Sequence, residues 1–173
     1  LLNDVKKELL KKNSNTTLVE ELANSILTYS DLLPSRNQNY KFDIEKFVDV
    51  NGKTGIYLQY AQVRAGKILN QYQTQNNKEA LDNLNEDERK LVFEITKLPY
   101  YFFKSLEKNE PHHIAEYAYS LCQIFNSFYS NNKIFSSSIT ETVMNQRLFI
   151  VKSFYTTIHT VFELLGMSPV NEM

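Results

Sequence analysis

The sequence contains few of the residues that build disulfides, tight turns or zinc sites. Its 173 residues include one cysteine, four glycines and four prolines. Because Cys122 stands alone, it excludes an internal disulfide and a zinc site built from cysteines, and it suits a cytoplasmic protein. The small numbers of glycine and proline disfavour an all-β protein, whose many turns depend on these residues.

Long apolar runs and catalytic motifs are also missing. The unbroken apolar stretches are too short to span a membrane, and no signal-peptide pattern precedes the first charged residues. No glycine-rich phosphate loop, HExxH or GxSxG pattern occurs. His112 and His113 are adjacent on a predicted helix, so we expect them to point in different directions and to be poor joint metal ligands. We therefore predict no catalytic residue, metal site or cofactor in this chain.

An excess of positive charge is absent as well. The formal net charge is −1. Dedicated nucleic-acid binders are more often basic, because neutralising phosphates drives much of their affinity. This charge counts against a stand-alone RNA-binding protein, and less against one domain of a larger RNA-binding enzyme.

Helical periodicity is what the sequence does contain. Hydrophobic residues make up 42% and aromatic residues 13%, which indicates a globular chain. Apolar residues recur every three or four positions in several segments, including 91–106, 114–128 and 148–165. No alternating strand pattern is sustained. We predict an all-α bundle of roughly five to seven helices.

Capping residues and prolines predict where these helices begin and end. Residues 1–12 are typical of a helix end or connector, 55–73 of a helix, 34–54 of a loop, and 74–84 of a loop or loosely formed helix. Pro99 should divide a helix near Leu98, and Pro111 should open another at its first position. The predicted N-caps are Asn15 or Thr16 for 17–33, Asn85 with Glu88 for a helix from Glu86, and Ser138 with Glu141 for a helix ending at Leu165.

Two tyrosines and an arginine share one face of the helix predicted from residue 55. Tyr57 and Tyr60 are three residues apart, and Arg64 follows four residues later. Flat amphipathic rings beside a planar, permanently charged guanidinium suit stacking on bases and pairing with phosphate. The alternatives are tyrosines packed in the core or at its rim, and an arginine that forms a structural ion pair.

Two segments of the chain resemble a known family. Residues 55–69 read GIYLQYAQVRAGKIL, and the last ten residues read LLGMSPVNEM. Together they resemble the C-terminal anticodon-binding domain of class I arginyl-tRNA synthetases, which carries a YLQYA-x-x-R helix and ends in Leu-Leu-Gly, Pro and a terminal Met. Ile56 and Gln62 stand where relatives commonly have Pro and His, and Asn171-Glu172 replaces a commoner Glu-Arg pair. The resemblance extends from about residue 20 to residue 173.

This resemblance implies a set of tRNA-binding residues. The tyrosine-bearing helix would shape a pocket for the splayed anticodon, and its small Ala61 would let a base approach. Residues 111–130, PHHIAEYAYSLCQIFNSFYS, match a second family helix that ends in Phe-Asn-x-Phe-Tyr. The terminal Met would lie near the anticodon loop. The predicted tRNA-binding residues are Tyr57, Tyr60, Ala61, Arg64, Asn126, Tyr129 and Met173.

The resemblance also implies a domain order and a parent enzyme. Residues 1–14 would be a connector or the end of an upstream catalytic domain of the same chain, and 15–173 the anticodon-binding domain. The class I signatures, a HIGH-like and a KMSKS-like motif, would lie upstream of Leu1. The parent would use ATP and Mg²⁺ to attach arginine to its tRNA. All arginine codons share a central G, so the anticodon's central C is the natural target.

Other functions stay open at this point. A helical protein-interaction bundle without RNA binding is supported by the mild net acidity. A related helical domain of a cysteinyl- or glycyl-type synthetase is the nearest rival, against which the YLQYA-x-x-R helix and the terminal Met argue. A helical hydrolase or lyase lacks any catalytic constellation in this sequence.

Overall fold

The computed structural model describes residues 1–11, 15–72 and 81–173. These residues form helices and no strand: seven helices of nine residues or more and one single helical turn. The helices are α1 Leu2–Leu10, α2 Thr16–Leu32, α3 Ile44–Phe47, α4 Gly55–Asn70, α5 Glu86–Ile95, α6 Leu98–Lys108, α7 His112–Asn131 and α8 Glu141–Leu165. The predicted all-α class is confirmed.

Side-chain caps fix several of the helix starts. The Asn15 Oδ1 atom accepts a hydrogen bond of 3.1 Å from the Leu18 amide, which selects Asn15 over Thr16 as the cap of α2. Asn85 and Glu88 form the predicted capping box of α5. At α8 the cap is Thr140 and not Ser138, because the Thr140 hydroxyl accepts from the Val143 amide.

Proline divides the helices close to the predicted positions. The helix over 86–108 is split into α5 and α6, and Pro99 lies in the first turn of α6. Pro111 is the N-cap of α7, whereas it was predicted to be the first residue of that helix. α4 ends at Asn70, earlier than predicted.

The loop predicted over 34–54 contains one turn of helix that sequence reasoning missed. α3 is only four residues long, and Asp43 caps it by accepting from the Lys46 amide. So short a segment shows no apolar period. Of the segment 74–84, residues 81–84 are not helical, and the prediction for 74–80 lies outside the described residues.

α4 lies between two hydrophobic cores. The larger, which we call the first core, is built mainly from α7 and α8, and α4 contributes Leu58, Ala61, Ala65 and Ile68 to it. The second core is built from α1, α2 and α3, together with Ile56 and Val63 of α4 and Val170 near the C-terminus. Burial on two sides explains why nine of the sixteen residues of α4 are buried.

Gly55 sets the distance between α4 and α2. A Cβ atom at this position would lie 2.4 Å from the Ser25 carbonyl oxygen. The absence of a side chain therefore allows the start of α4 to touch the α2 backbone.

The apolar character of α8 is explained by the first core. α8 is long and apolar enough to cross a membrane by length and composition alone. Its apolar stripe, which includes Leu148, Val151, Ile158 and Phe162, is instead buried against the neighbouring helices.

Candidate nucleic-acid interface

The guanidinium of Arg64 lies between two partly exposed tyrosine rings. Its Cζ atom is 4.4 Å from the ring centroid of Tyr60 on the same helix. It is 4.7 Å from the ring centroid of Tyr129 on α7. The two tyrosines are 42% and 39% exposed. The cation–π contacts hold the guanidinium while leaving ring surface open to a ligand.

A neutral side chain fixes the orientation of Arg64. Its Nη1 atom donates a hydrogen bond of 2.7 Å to Oδ1 of Asn126. We call Tyr60, Arg64, Asn126 and Tyr129 the tyrosine–arginine cluster. No carboxylate among the residues that the structure describes forms an ion pair with Arg64. Within that part of the chain, the alternative of a structural ion pair does not hold, and the positive charge is left uncompensated.

A pocket of about 630 Å³ opens beside the cluster, and we call it the α4–α7 pocket. Three cationic side chains line it, from Arg64, Lys67 and Lys133, and none of the described aspartates or glutamates does. Its lining residues are Tyr60, Val63, Arg64, Lys67, Ile68, Gln71, Tyr129, Ser130, Asn132, Lys133, Ile134, Phe135 and Met173. A chain of slightly negative net charge thus concentrates positive charge in one concave site, which favours an anionic ligand.

One wall of the pocket comes from the connection between α7 and α8. The Lys133 carbonyl oxygen accepts a hydrogen bond of 2.6 Å from Nη1 of Arg147. The Nε atom of Arg147 in turn donates to Oε1 of Glu88 at 2.7 Å. Sequence reasoning missed Lys133 and Phe135 because distant residues contact them: Arg147 of α8 bonds the Lys133 carbonyl oxygen, and the Phe135 ring lies 6.5 Å from that of Tyr72. The basic and aromatic residues directly after Tyr129 were the available signal.

The structure brings most of the predicted site residues together. Tyr60, Arg64, Tyr129 and Met173 line one pocket, and Asn126 is bonded to Arg64. Met173 is partly buried and also packs against the second core. Their binding to tRNA stays a prediction.

Tyr57 and Ala61 lie apart from the pocket. The Tyr57 ring packs on Tyr119 of α7, with ring centroids 5.3 Å apart. Burial raises the pKa of the Tyr57 hydroxyl, and a hydrogen bond with Asn126 acts in the opposite direction. Ala61 is fully buried in the first core. The predicted direct approach of a base to Ala61 does not fit this burial; its small side chain instead permits close packing of α4.

The prediction that His112 and His113 point apart is wrong. Their ring centroids are 4.0 Å apart, because both rings turn towards the carboxylate of Glu110. The Glu110 Oε2 atom lies 3.4 Å from Nε2 of His113 and 3.9 Å from Nδ1 of His112. Burial lowers the pKa of His113, which favours the neutral imidazole that a metal ion requires. These three side chains are arranged so that they could hold a metal ion.

The lone thiol of the chain belongs to the first core. Cys122 is fully buried in the first core. Burial raises the pKa of its thiol, so the reactive thiolate is disfavoured.

The chain is similar in sequence to curated arginine–tRNA ligases. It is 30% identical over 175 residues to the arginine–tRNA ligase of Francisella tularensis subsp. novicida, covering 96% of this chain and 30% of that ligase. It is 29% identical to the arginine–tRNA ligase of Leuconostoc mesenteroides, with the same shares covered. The chain thus spans about a third of the length of these curated relatives.

Solved structures agree in fold. The arginyl-tRNA synthetase of Thermus thermophilus superposes with a TM-score of 0.88 at 22% identity, over 99% of this chain and 31% of that one. The arginyl-tRNA synthetase of Plasmodium falciparum superposes with a TM-score of 0.78 at 27% identity, over 99% and 32%. Residues 58–173, more than half of the sequence, match the family described as the DALR anticodon binding domain, and the chain belongs to that family.

Proposed function

We propose that this chain is the anticodon-binding part of an arginine–tRNA ligase, and that its α4–α7 pocket binds bases of the anticodon loop of an arginine-accepting tRNA. Membership of the DALR family and the likeness to arginine–tRNA ligases along almost the whole chain support the proposal. They count against a protein-interaction bundle that has no RNA partner.

The arrangement of Arg64 is the observation that carries the proposal. Its guanidinium is held by two rings and a neutral amide, so its charge is available to a phosphate or to a base edge. The outer faces of Tyr60 and Tyr129 provide stacking surfaces for unpaired bases. Lys67 and Lys133 add positive charge for the backbone that enters with those bases.

The rest of the enzyme would lie outside this chain. An upstream catalytic domain of the same polypeptide would use ATP and Mg²⁺ to attach arginine to the tRNA, in the cytoplasm. Residues 1–14 would connect that domain to this one. The connector would be anchored by α1, whose Val5 and Leu9 are buried in the second core.

A comparison of three RNA hairpins tests the proposal. The affinity of the chain is measured by fluorescence anisotropy for an arginine anticodon stem-loop, and for the same hairpin with its central anticodon C changed to G. A third hairpin, in which one stem base pair is inverted, is the control for general RNA contact. We expect the first and third hairpins to bind alike and the second more weakly, because a fitted pocket rejects the wrong base edge. Equal affinity for all three would contradict base selection, and no binding to any would contradict the proposed function.

A further inference from the structure

The C-terminal segment that follows α8 is ordered although it is not helical. α8 ends at Leu165, and the left-handed backbone of its cap residue Gly166 redirects the chain. Met167 and Val170 are then buried, in the first and second core respectively. The segment ends at Met173 in the wall of the α4–α7 pocket. Terminal residues are usually poorly ordered unless something ties them down.

The side chain of Gln59 on α4 holds this segment in place through hydrogen bonds. Its Nε2 atom donates to the Ser168 carbonyl oxygen at 2.7 Å and to Oγ of Ser25 at 2.8 Å. Its Oε1 atom accepts from the Val170 amide at 3.1 Å. One carboxamide thus bonds the backbone on both sides of Pro169 and is anchored to α2.

Two of these three bonds, to Ser25 and from Val170, are buried and therefore costly to break, and the bond to the exposed Ser168 is partly buried. Gln59 has no exposed surface, and Val170 and Ser25 are at most 1% exposed. A buried amide that loses its partner bears the full cost of its desolvation. The C-terminal segment that follows α8, which we call the tail, therefore has one strongly preferred position relative to α4.

The same helix carries the exposed binding face. Gln59 directly precedes Tyr60 in the sequence, and the two side chains leave α4 towards opposite environments, one buried and one exposed. A rigid helix thereby couples the position of the tail to the position of the tyrosine–arginine cluster.

We propose that Gln59 is a positioning residue: by clamping Ser168 and Val170, it places Met173 as one wall of the α4–α7 pocket, and it supports RNA binding without touching RNA. The effect on RNA rests on the proposed function; the clamp itself does not.

The position of Met173 tests the clamp directly. Methionine methyl groups labelled with carbon-13 report on Met144, Met167 and Met173 separately by NMR. Gln59→Leu should move the Met173 methyl resonance towards its value in a disordered peptide and leave that of Met144 in place. Gln62→Leu is the matched control, because Gln62 is a buried glutamine of the same helix that contacts His159 and not the tail. An unmoved Met173 resonance in Gln59→Leu would overturn the proposal.

A measurement on the unaltered chain covers the case in which Gln59→Leu does not fold. Hydrogen exchange at the Val170 amide should be slow, because Gln59 accepts its proton in a buried setting. Exchange as fast as that of a free terminus would overturn the clamp.

Affinity for the arginine anticodon stem-loop then tests the consequence. Four proteins are compared: the unaltered chain, Gln59→Leu, the chain lacking residues 168–173, and the combination. Gln59→Leu should weaken binding about fivefold, at the low end of couplings between sites in proteins, and should have no further effect once the tail is absent. The same weakening with and without the tail would show that Gln59 acts through the fold alone. If the unaltered chain does not bind the hairpin, the proposed function fails, while the Met173 and Val170 measurements still decide the clamp.

Discussion

Among the residues that the structure describes, two regions place a cation against exposed aromatic rings, and they differ in what else the cation touches. In the tyrosine–arginine cluster, Arg64 contacts two rings and a neutral amide. On α5 and α6, the Lys97 ammonium lies 4.6 Å from the Phe93 ring centroid, but it also forms a 2.7 Å ion pair with the Glu94 carboxylate. The first cation is free to meet an anion, and the second is already neutralised.

The two regions also differ in shape and in the charge around the cation. The cluster opens into a concave pocket with two further lysines. The second region, which we call the α5–α6 face, consists of Phe93, Tyr100, Phe103 and Leu106, all more than half exposed. Exposed aromatic residues beside a cation therefore do not by themselves indicate an RNA site. An uncompensated charge and a cavity to receive the ligand separate the two regions.

The largest expected effect concerns the link between α5 and the wall of the pocket. Arg147→Ala should lower the free energy of unfolding by about 3 kcal/mol, because it leaves the buried Glu88 carboxylate without its positively charged partner. It also removes the hydrogen bond to the Lys133 carbonyl oxygen. Urea denaturation measures the loss, and Lys152→Ala, an exposed position on the same helix, is the control. A loss no larger than that of the control would mean that the wall does not depend on this ion pair.

The next largest effect distinguishes Arg64 from Lys97 by their contribution to RNA binding. Arg64→Ala should weaken binding of the arginine anticodon stem-loop by about 2 kcal/mol, typical of a hydrogen bond to a charged group. Lys97→Ala should leave the affinity unchanged. Fluorescence anisotropy at one fixed salt concentration measures both. Equal losses in the two variants would contradict the difference in charge compensation between Arg64 and Lys97.

A smaller effect on RNA binding distinguishes the tyrosines of the cluster from Tyr100 of the α5–α6 face. Tyr129→Ala and Tyr60→Ala should each weaken hairpin binding by about 1 kcal/mol, the lower end for a stacked base. Tyr100→Ala removes a tyrosine that is more exposed than either and should have no effect. Thermal unfolding of each variant verifies that the fold is retained. A loss confined to Tyr100→Ala would move the binding site to the α5–α6 face.

Acid should weaken the fold at the start of α7, where His113 lies, and spare the pocket. Burial lowers the pKa of His113; His112 and Lys104 act in the same direction, and Glu110 and Glu116 oppose them. The unfolded chain then binds a proton more readily than the folded one. The neutral His113 therefore contributes to the free energy of unfolding. That contribution is complete above the ordinary histidine pKa of about 6.5 and is lost as the pH falls below it.

Urea midpoints at two pH values measure this effect. The midpoint should be lower at about pH 5.5 than at pH 7, and the difference should shrink in His113→Gln. His159, whose pKa burial also lowers, accounts for part of what remains. An unchanged pH dependence in His113→Gln would contradict the assignment to His113.

The parts of the fold that sequence predicts are those governed by local chemistry. Asn15 and the pair Asn85 and Glu88 cap their helices with their own side chains, and Pro99 cannot continue a helix, so each position follows from neighbouring residues. Where two candidate caps lie close together, as Ser138 and Thr140 do, the local sequence alone did not identify Thr140 as the cap.

The parts that sequence could not predict depend on distant contacts. Lys133 enters the pocket because Arg147 holds its carbonyl oxygen from α8. Gln59 is one polar residue in an apolar stretch, and its role depends on the backbone of residues more than 100 positions away. Leu106 continues the helical period but is 57% exposed, because no described element covers that end of α6.

The most direct test follows the side chains of the two regions in one titration. The Nε–Hε signal of Arg64 and the ring signals of Tyr60 and Tyr129 are recorded by NMR while the arginine anticodon stem-loop is added. The signals of Phe93, Lys97 and Tyr100 are followed in the same samples. We expect shifts in the first group, which weaken when the central anticodon C is replaced by G, and none in the second. Shifts in the second group without the first would contradict it.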